Sequence, residues 1–256
     1  MFSSNRPTNA AGADPLMPDV TSPIKLTGPG AQFLGVGIVG LGALIMLGAV
    51  VTGDDPSLAL AVSVVGYGIA LGVAQFALRR TYPHAAIGLC NAVTVVRLVL
   101  TCVVLAAVFA SSPAAWPVFA IALTAFLLDG ADGWLARREG YASNFGARFD
   151  VEVDAALALI LAIYAHVHAD VGAYVILLGL PRYLFIVAQY PLPWLSRQLP
   201  ERFSRKVVCV AQISVLIAVL LPFVGTSLGG ITVGVTALAL MWSFAIDVRW
   251  LWMARP

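Results

Sequence analysis

The sequence predicts an all-α, polytopic membrane protein built from a bundle of transmembrane helices. Three observations carry that prediction. The chain of 256 residues is 60% hydrophobic and only 11% charged, with a mean hydropathy of +0.92, so lipid is the solvent for most of it. Its apolar runs recur at about 20 residues, the length that crosses a bilayer as a helix. Its fifteen basic residues fall on one side of those runs or in the half of a run nearest that side, as the positive-inside rule requires.

The elements follow in order. Residues 1–31 are polar and rich in proline and glycine, which predicts a disordered cytoplasmic tail. The tail lacks the charged start and short apolar core of a signal peptide. Apolar runs then fall near 32–53, 57–78, 92–111, 114–134, 147–167, 171–191, 207–225 and 229–252. Inside a bilayer every backbone N–H and C=O must be satisfied within the segment, so runs this long are helices. The alternating segments of about ten residues that mark a membrane barrel are absent from the sequence. In the second run Gly68 and Gly72 form a GxxxG pair, expected to let helices approach closely.

Charge orients the bundle. The connections GDDPS, SSPAA, HVHADVG and GTSLGG hold no lysine or arginine. The opposite connections, with Arg79, Arg80, Arg137, Arg138 and the stretch from Arg197 to Lys206, hold the basic residues and are assigned to the cytoplasm. The net charge of +2 is then a product of topology; its natural partner is anionic lipid headgroups, with no nucleic acid. Cys90, Cys102 and Cys209 are odd in number and lie in or beside spans, so they read as small packing residues. His166 and His168 flank a short loop without metal-site spacing.

Against this background the carboxylates stand out. The stretch LLDGADGWLAR (127–137) places Asp129 and Asp132 near the cytoplasmic end of the fourth span. FDVEVDAALALILAIYA places Asp150 and Asp154 near the cytoplasmic start of the fifth. Spacings of three and four put each pair on one helix face. The short connection between these spans predicts antiparallel neighbours whose acidic faces meet. Four converging aspartates need a positive partner, and hard oxygen donors suit Mg²⁺, Mn²⁺ or Ca²⁺. Mg²⁺ takes much of its coordination from substrate phosphates, which points to a phosphate substrate. Gly133 and Ala136 lie one turn beyond Asp129 and Asp132, and Gly146 one turn before Asp150. The acidic faces are thus bordered by residues with almost no side chain, the outline of a pocket.

The run D-G-A-D-G-W-L-A-R, eight further residues, then G-A-R-F-D-V-E-V-D fits D-x-x-D-G-x-x-A-R-(x8)-G-x-x-x-D-x-x-x-D at every position. On these residues the chain resembles the CDP-alcohol phosphotransferase family. The resemblance covers about 88–254, the family's six-helix core, and leaves 32–80 as two additional transmembrane helices. It implies a metal-dependent transferase that moves a substituted phosphate group from a CDP-linked donor to an alcohol, releasing CMP, in phospholipid biosynthesis; the donor is either CDP-diacylglycerol, with a polar alcohol as acceptor, or a soluble CDP-alcohol, with diacylglycerol as acceptor. It implies that Asp129, Asp132, Asp150 and Asp154 hold Mg²⁺ or Mn²⁺, and that Asp154 is also the general base. Gly133, Ala136, Arg137 and Gly146 would border the CDP moiety. Asn91, Thr94 and Arg97 resemble the N-x-x-T-x-x-R segment that opens the core in many members and join the CDP-binding set; Cys90 stands where proline often precedes that asparagine.

The motif does not name the acceptor. Arg182 lies in the sixth span with no acid in that span, and Arg202, Arg205 and Lys206 lead into the seventh. A buried arginine needs an anion and arginine suits phosphate, so these four residues are the expected acceptor site. CDP-diacylglycerol is the expected donor and glycerol 3-phosphate the expected acceptor. The alternatives are a phosphatidylinositol-phosphate, phosphatidylserine or choline/ethanolamine-type synthase. A different class, an ion-coupled transporter, would place carboxylates near the midplane of interrupted repeats; here they cluster at one interface. The expected location is a bacterial inner membrane with the site on the cytoplasmic side. Homodimer formation is left open.

Overall fold

A computed structural model of the chain describes residues 28–53, 57–197, 199, 202–221, 224 and 226–253, the side chains of Asp132, Thr226 and Ser227 excepted. The predicted tail falls outside the described residues up to position 27. The helices are α1 (Pro29–Thr52), α2 (Ser57–Thr81), α3 (Gly88–Phe109), α4 (Ala115–Glu139), α5 (Asn144–His168), α6 (Pro181–Ala188), α7 (Phe203–Ala218) and α8 (Thr226–Met253). The described residues contain no strand. Among the described residues six helices are long and apolar enough to cross a membrane: α1 to α5, and α8 over Leu228–Met253.

The predicted spans 171–191 and 207–225 come out differently. The first is broken into a 3₁₀ segment, Ala173–Leu178, and the eight-residue α6. Gly179 and Pro181 mark the break. A side chain at Gly179 would meet the backbone Cα of Leu159 at 2.5 Å, so glycine lets this segment lie against α5. Proline at the first helical position has no N–H to continue the preceding turn. The seventh run folds as the 16-residue α7, shifted toward the N-terminus of its predicted bounds.

α3 is the centre of the bundle, packed by α1, α2, α4 and α5. Among the described residues α4 and α5 touch each other little, so α3 stands between them as the helix both share. This corrects the expectation that α4 and α5 are packed neighbours. The turn between them is tight for local reasons. Gly140 closes α4 in the left-handed region at φ 73°, where glycine carries no Cβ penalty. Ser143 caps α5, its Oγ accepting from the Gly146 N–H at 3.1 Å. Glu139, at the end of α4, accepts from the Leu89 N–H at the start of α3 (3.0 Å), an acid placed on the positive end of a helix.

Lipid is as apolar as leucine, so helices associate here by close packing and hydrogen bonds. The GxxxG pair does not supply that approach: Gly68 and Gly72 face open space. The close contacts come from α1. A Cβ at Gly40 would meet Tyr67 Oη at 2.6 Å and Val99 at 2.8 Å, and one at Gly37 would meet Leu71 at 2.5 Å. Tyr67 Oη donates to the Gly37 carbonyl (2.9 Å), and Gln75 Nε2 to that of Gly30 (3.1 Å). Gln32 Oε1 accepts from the Ile87 N–H (3.1 Å), tying α1 to the entry of α3.

Candidate active site

The last turns of α4 and the first turns of α5 both reach Arg97, in the N-terminal half of α3. Carboxylate oxygens of Asp129, Asp150 and Asp154 lie within 4.8 Å of one another. Each of these side chains is about one-third exposed, at 35%, 32% and 31%. The backbone of Asp132 continues α4 one turn from Asp129; its side chain lies outside the described residues.

The positive partner that such a cluster requires is present in the fold for Asp129, Asp150 and Asp154. Arg97 comes off α3 with a side chain only 1% exposed. Its Nη2 pairs with Asp129 at 3.0 Å and with Asp154, its Nη1 pairs with Asp150, and its Nε donates to the Ala125 carbonyl at 3.2 Å. One guanidinium thus links carboxylates from two helices to a third. A buried charge costs several kcal/mol unless paired, and here the pairing is with three acids.

Beside the carboxylates lies a cavity of about 220 Å³. Its wall takes Cys90, Asn91 and Thr94 from α3, Gly133, Ala136 and Arg137 from α4, and Gly146, Ala147 and Asp150 from α5, closed by Tyr141, Ala142 and Ser143 of the turn. Asp150 therefore belongs to both the acidic cluster and the cavity. Six of the seven residues expected along a CDP moiety line this one cavity; the seventh, Arg97, turns onto the aspartates. Asn91 is held by Nδ2 donating to the Ile87 carbonyl (2.5 Å) and Tyr82 Oη (3.2 Å). A side chain at Gly146 would meet Asn91 Oδ1 at 3.0 Å, so glycine keeps this wall open. Burial pushes the Tyr82 hydroxyl up to about 12, which leaves it protonated and donating to the Ala86 and Ile87 carbonyls at 2.8 and 2.9 Å.

The expected acceptor residues are placed by pairings the sequence did not disclose. Arg182 does have an acid, Glu152 of α5, reached across helices rather than within its own span. Arg202 Nη1 and Arg205 Nη1 bind the two oxygens of Asp247 at 2.8 and 3.4 Å. Asp247 sits near the end of α8 with its side chain 6% exposed. Lys206 is exposed in the first turn of α7. Gln212 Nε2 donates to the Leu178 carbonyl (2.5 Å), holding α7 to the 3₁₀ segment. Asp247 and Tyr141 are the residues that reading the sequence missed. The signal for Asp247 was available, a lone acid in the apolar run MWSFAIDVRW.

The three carboxylates fit a divalent cation on two counts. Opposed oxygens on Mg²⁺ stand about 4.1 Å apart, and on larger cations up to about 5 Å, a span that their 4.8 Å grouping can supply. Ionised, they also carry three negative charges against the single guanidinium of Arg97, leaving a residual charge of −2.

The family model for CDP-alcohol phosphatidyltransferase matches residues 87–246, α3 through most of α8. No curated protein and no solved structure matches the chain.

Proposed function

Since the chain belongs to the CDP-alcohol phosphatidyltransferase family, we propose that it transfers a phosphatidyl group from CDP-diacylglycerol to glycerol 3-phosphate and releases CMP. The observation that carries this reading is the continuity of the acidic cluster with the small-residue cavity through Asp150. A phosphate held at the cluster can belong to a nucleotide lodged in the cavity. The donor's CDP moiety occupies the cavity, where Gly133, Ala136 and Gly146 allow it to approach backbone, with Asn91, Thr94 and Arg137 beside it.

Asp129, Asp132, Asp150 and Asp154 would hold Mg²⁺ or Mn²⁺. When bound, such a cation neutralises charge on the donor's phosphate oxygens. The protein's own contribution is position and proton transfer. Asp154 accepts the proton from the acceptor hydroxyl as its oxygen bonds to the β-phosphorus and the bond to the CMP oxygen breaks. Holding both substrates at that face contributes through orientation.

The acceptor assignment is supported by charge at the cytoplasmic end of α7. Two guanidiniums, Arg202 and Arg205, face one carboxylate, Asp247, and Lys206 lies in the same turn. Two guanidiniums and an ammonium gathered at one helix start suit a phosphate ester; Arg182 pairs with Glu152. The one-sided distribution of basic residues supports a cytoplasmic site, in a bacterial inner membrane. Residues 32–80 are then two helices added to a core over 88–254. The test is CMP release by purified protein from CDP-diacylglycerol with glycerol 3-phosphate, inositol phosphate, inositol, serine or choline, with and without chelator. Metal-dependent turnover with glycerol 3-phosphate is expected. Turnover with serine or choline and none with either phosphate ester overturns the acceptor, and full activity in excess chelator overturns the metal.

A further inference from the structure

We infer that Arg97 is a built-in counter-ion of the metal site: its guanidinium holds the three carboxylates together without metal and yields them when a divalent cation binds. The inference rests on the metal reading of the acidic cluster and adds a positioning residue to it. It starts from where Arg97 stands. The guanidinium occupies the point on which Asp129, Asp150 and Asp154 converge, using both terminal nitrogens on acids. Those same acids are the group able to hold a metal. The two cations therefore share ligands, and a bound divalent ion must take carboxylate oxygens from Arg97.

Electrostatics gives the arrangement a purpose. Three carboxylates grouped within 4.8 Å repel strongly where the surroundings are partly desolvated. With no internal cation, α4 and α5 would be driven apart, and α4 and α5 have little direct contact to resist it. Arg97 is anchored for this role by its backbone in the most buried helix and by the Nε bond to the Ala125 carbonyl. Arginine suits the position because its planar, permanently charged fork engages several oxygens at once, which a lysine ammonium does not reproduce. Metal binding frees that fork for the donor's phosphates, so nucleotide binding is coupled to metal loading. The exchange is cation for cation: no proton need move, because the guanidinium stays protonated throughout.

The test uses the full chain in detergent without donor, with Mn²⁺ as the probe and free Mn²⁺ counted by electron paramagnetic resonance. Arg97→Gln keeps polar contacts and removes the competing charge; it should bind Mn²⁺ about tenfold more tightly than wild type, as loss of one nearby positive charge implies. Arg97→Lys keeps the charge and should stay within about threefold of wild type on the same argument. In chelator the glutamine variant should unfold at a lower temperature than either, and Mn²⁺ should raise its midpoint most. Equal or weaker Mn²⁺ binding by Arg97→Gln, with wild type binding normally, overturns the counter-ion role alone. Absence of Mn²⁺ binding by wild type overturns the metal reading, and this inference with it. A measurement on unaltered protein keeps the question open to decision if the variant does not fold. Phenylglyoxal labelling followed by mass spectrometry should find Arg97 protected in chelator and modified with Mn²⁺. Equal protection in both conditions overturns the exchange.

Discussion

Asp154 and Asp150 occupy the same helix face one turn apart and both pair with Arg97, yet their surroundings differ. Asp150 forms part of the cavity wall and Asp154 does not. That division fits a carboxylate facing the donor and another left to meet the acceptor hydroxyl. Asp154→Asn preserves size and polarity, so the variant should fold and unfold like wild type. Its transferase activity should fall about 10²-fold or more, the scale of a lost general base. CMP-release kinetics beside a thermal melt check this, and full activity in the variant removes Asp154 from the role.

At the scale of helices, two seams carry specific loads. Between α1 and its neighbours the weight falls on Gly40, where an added methyl would press on Tyr67 Oη, itself held by the Gly37 carbonyl, and on Val99 of α3. Gly40→Ala should cost about 1–3 kcal/mol through overpacking. Gly68→Ala, which meets open space, should stay within about 0.5 kcal/mol. Equal melting of the two variants would show that the seam yields. The second seam joins α7 to α8 through Asp247. Asp247→Ala leaves two partly buried arginines without their acid, at 26% and 31% exposure. The expected loss is about 2–4 kcal/mol, below the full cost of breaking a buried pair because the arginines keep some solvent. A raised KM for the acceptor with donor KM unchanged would accompany it, since the same arginines are proposed to meet the phosphate ester.

At the scale of the molecule, α1 and α2 supply none of the proposed chemistry but contribute to its support. Phe33 of α1 is fully buried, with its ring edge-on to Phe145 at 6.1 Å and Phe149 at 5.8 Å. Those two rings lie in the first turns of α5, the helix that carries Asp150. Deleting residues 1–80 should therefore lower the melting temperature and reduce activity together. An active truncation with an unchanged melt would show α1 and α2 to be dispensable. Phe33→Ala is the finer version, and should reproduce part of both losses through the cavity it leaves.

Several features are fully legible along the chain. Composition names lipid as the solvent, and run length predicts the first five helices and the last. Spacing puts Asp129 beside Asp132, and Asp150 beside Asp154, because covalent geometry alone decides which residues share a helix face. The DGxxAR and GxxxDxxxD segments together identify Gly133, Ala136 and Gly146 of the cavity wall, though not Ala142 or Ala147. What the tertiary structure decided is every pairing between helices. It put α3 between α4 and α5, gave Arg97 to three aspartates, Arg182 to Glu152, and Arg202 with Arg205 to Asp247. It also moved the close approach from Gly68 and Gly72 to the glycines of α1, and broke the sixth run at Gly179 and Pro181. The reason is the solvent. In water a helix shows its buried face as an apolar stripe, whereas in lipid both faces are apolar. Neighbours are then chosen by shape and by a few polar contacts far apart in sequence, and those exist only once the helices have packed.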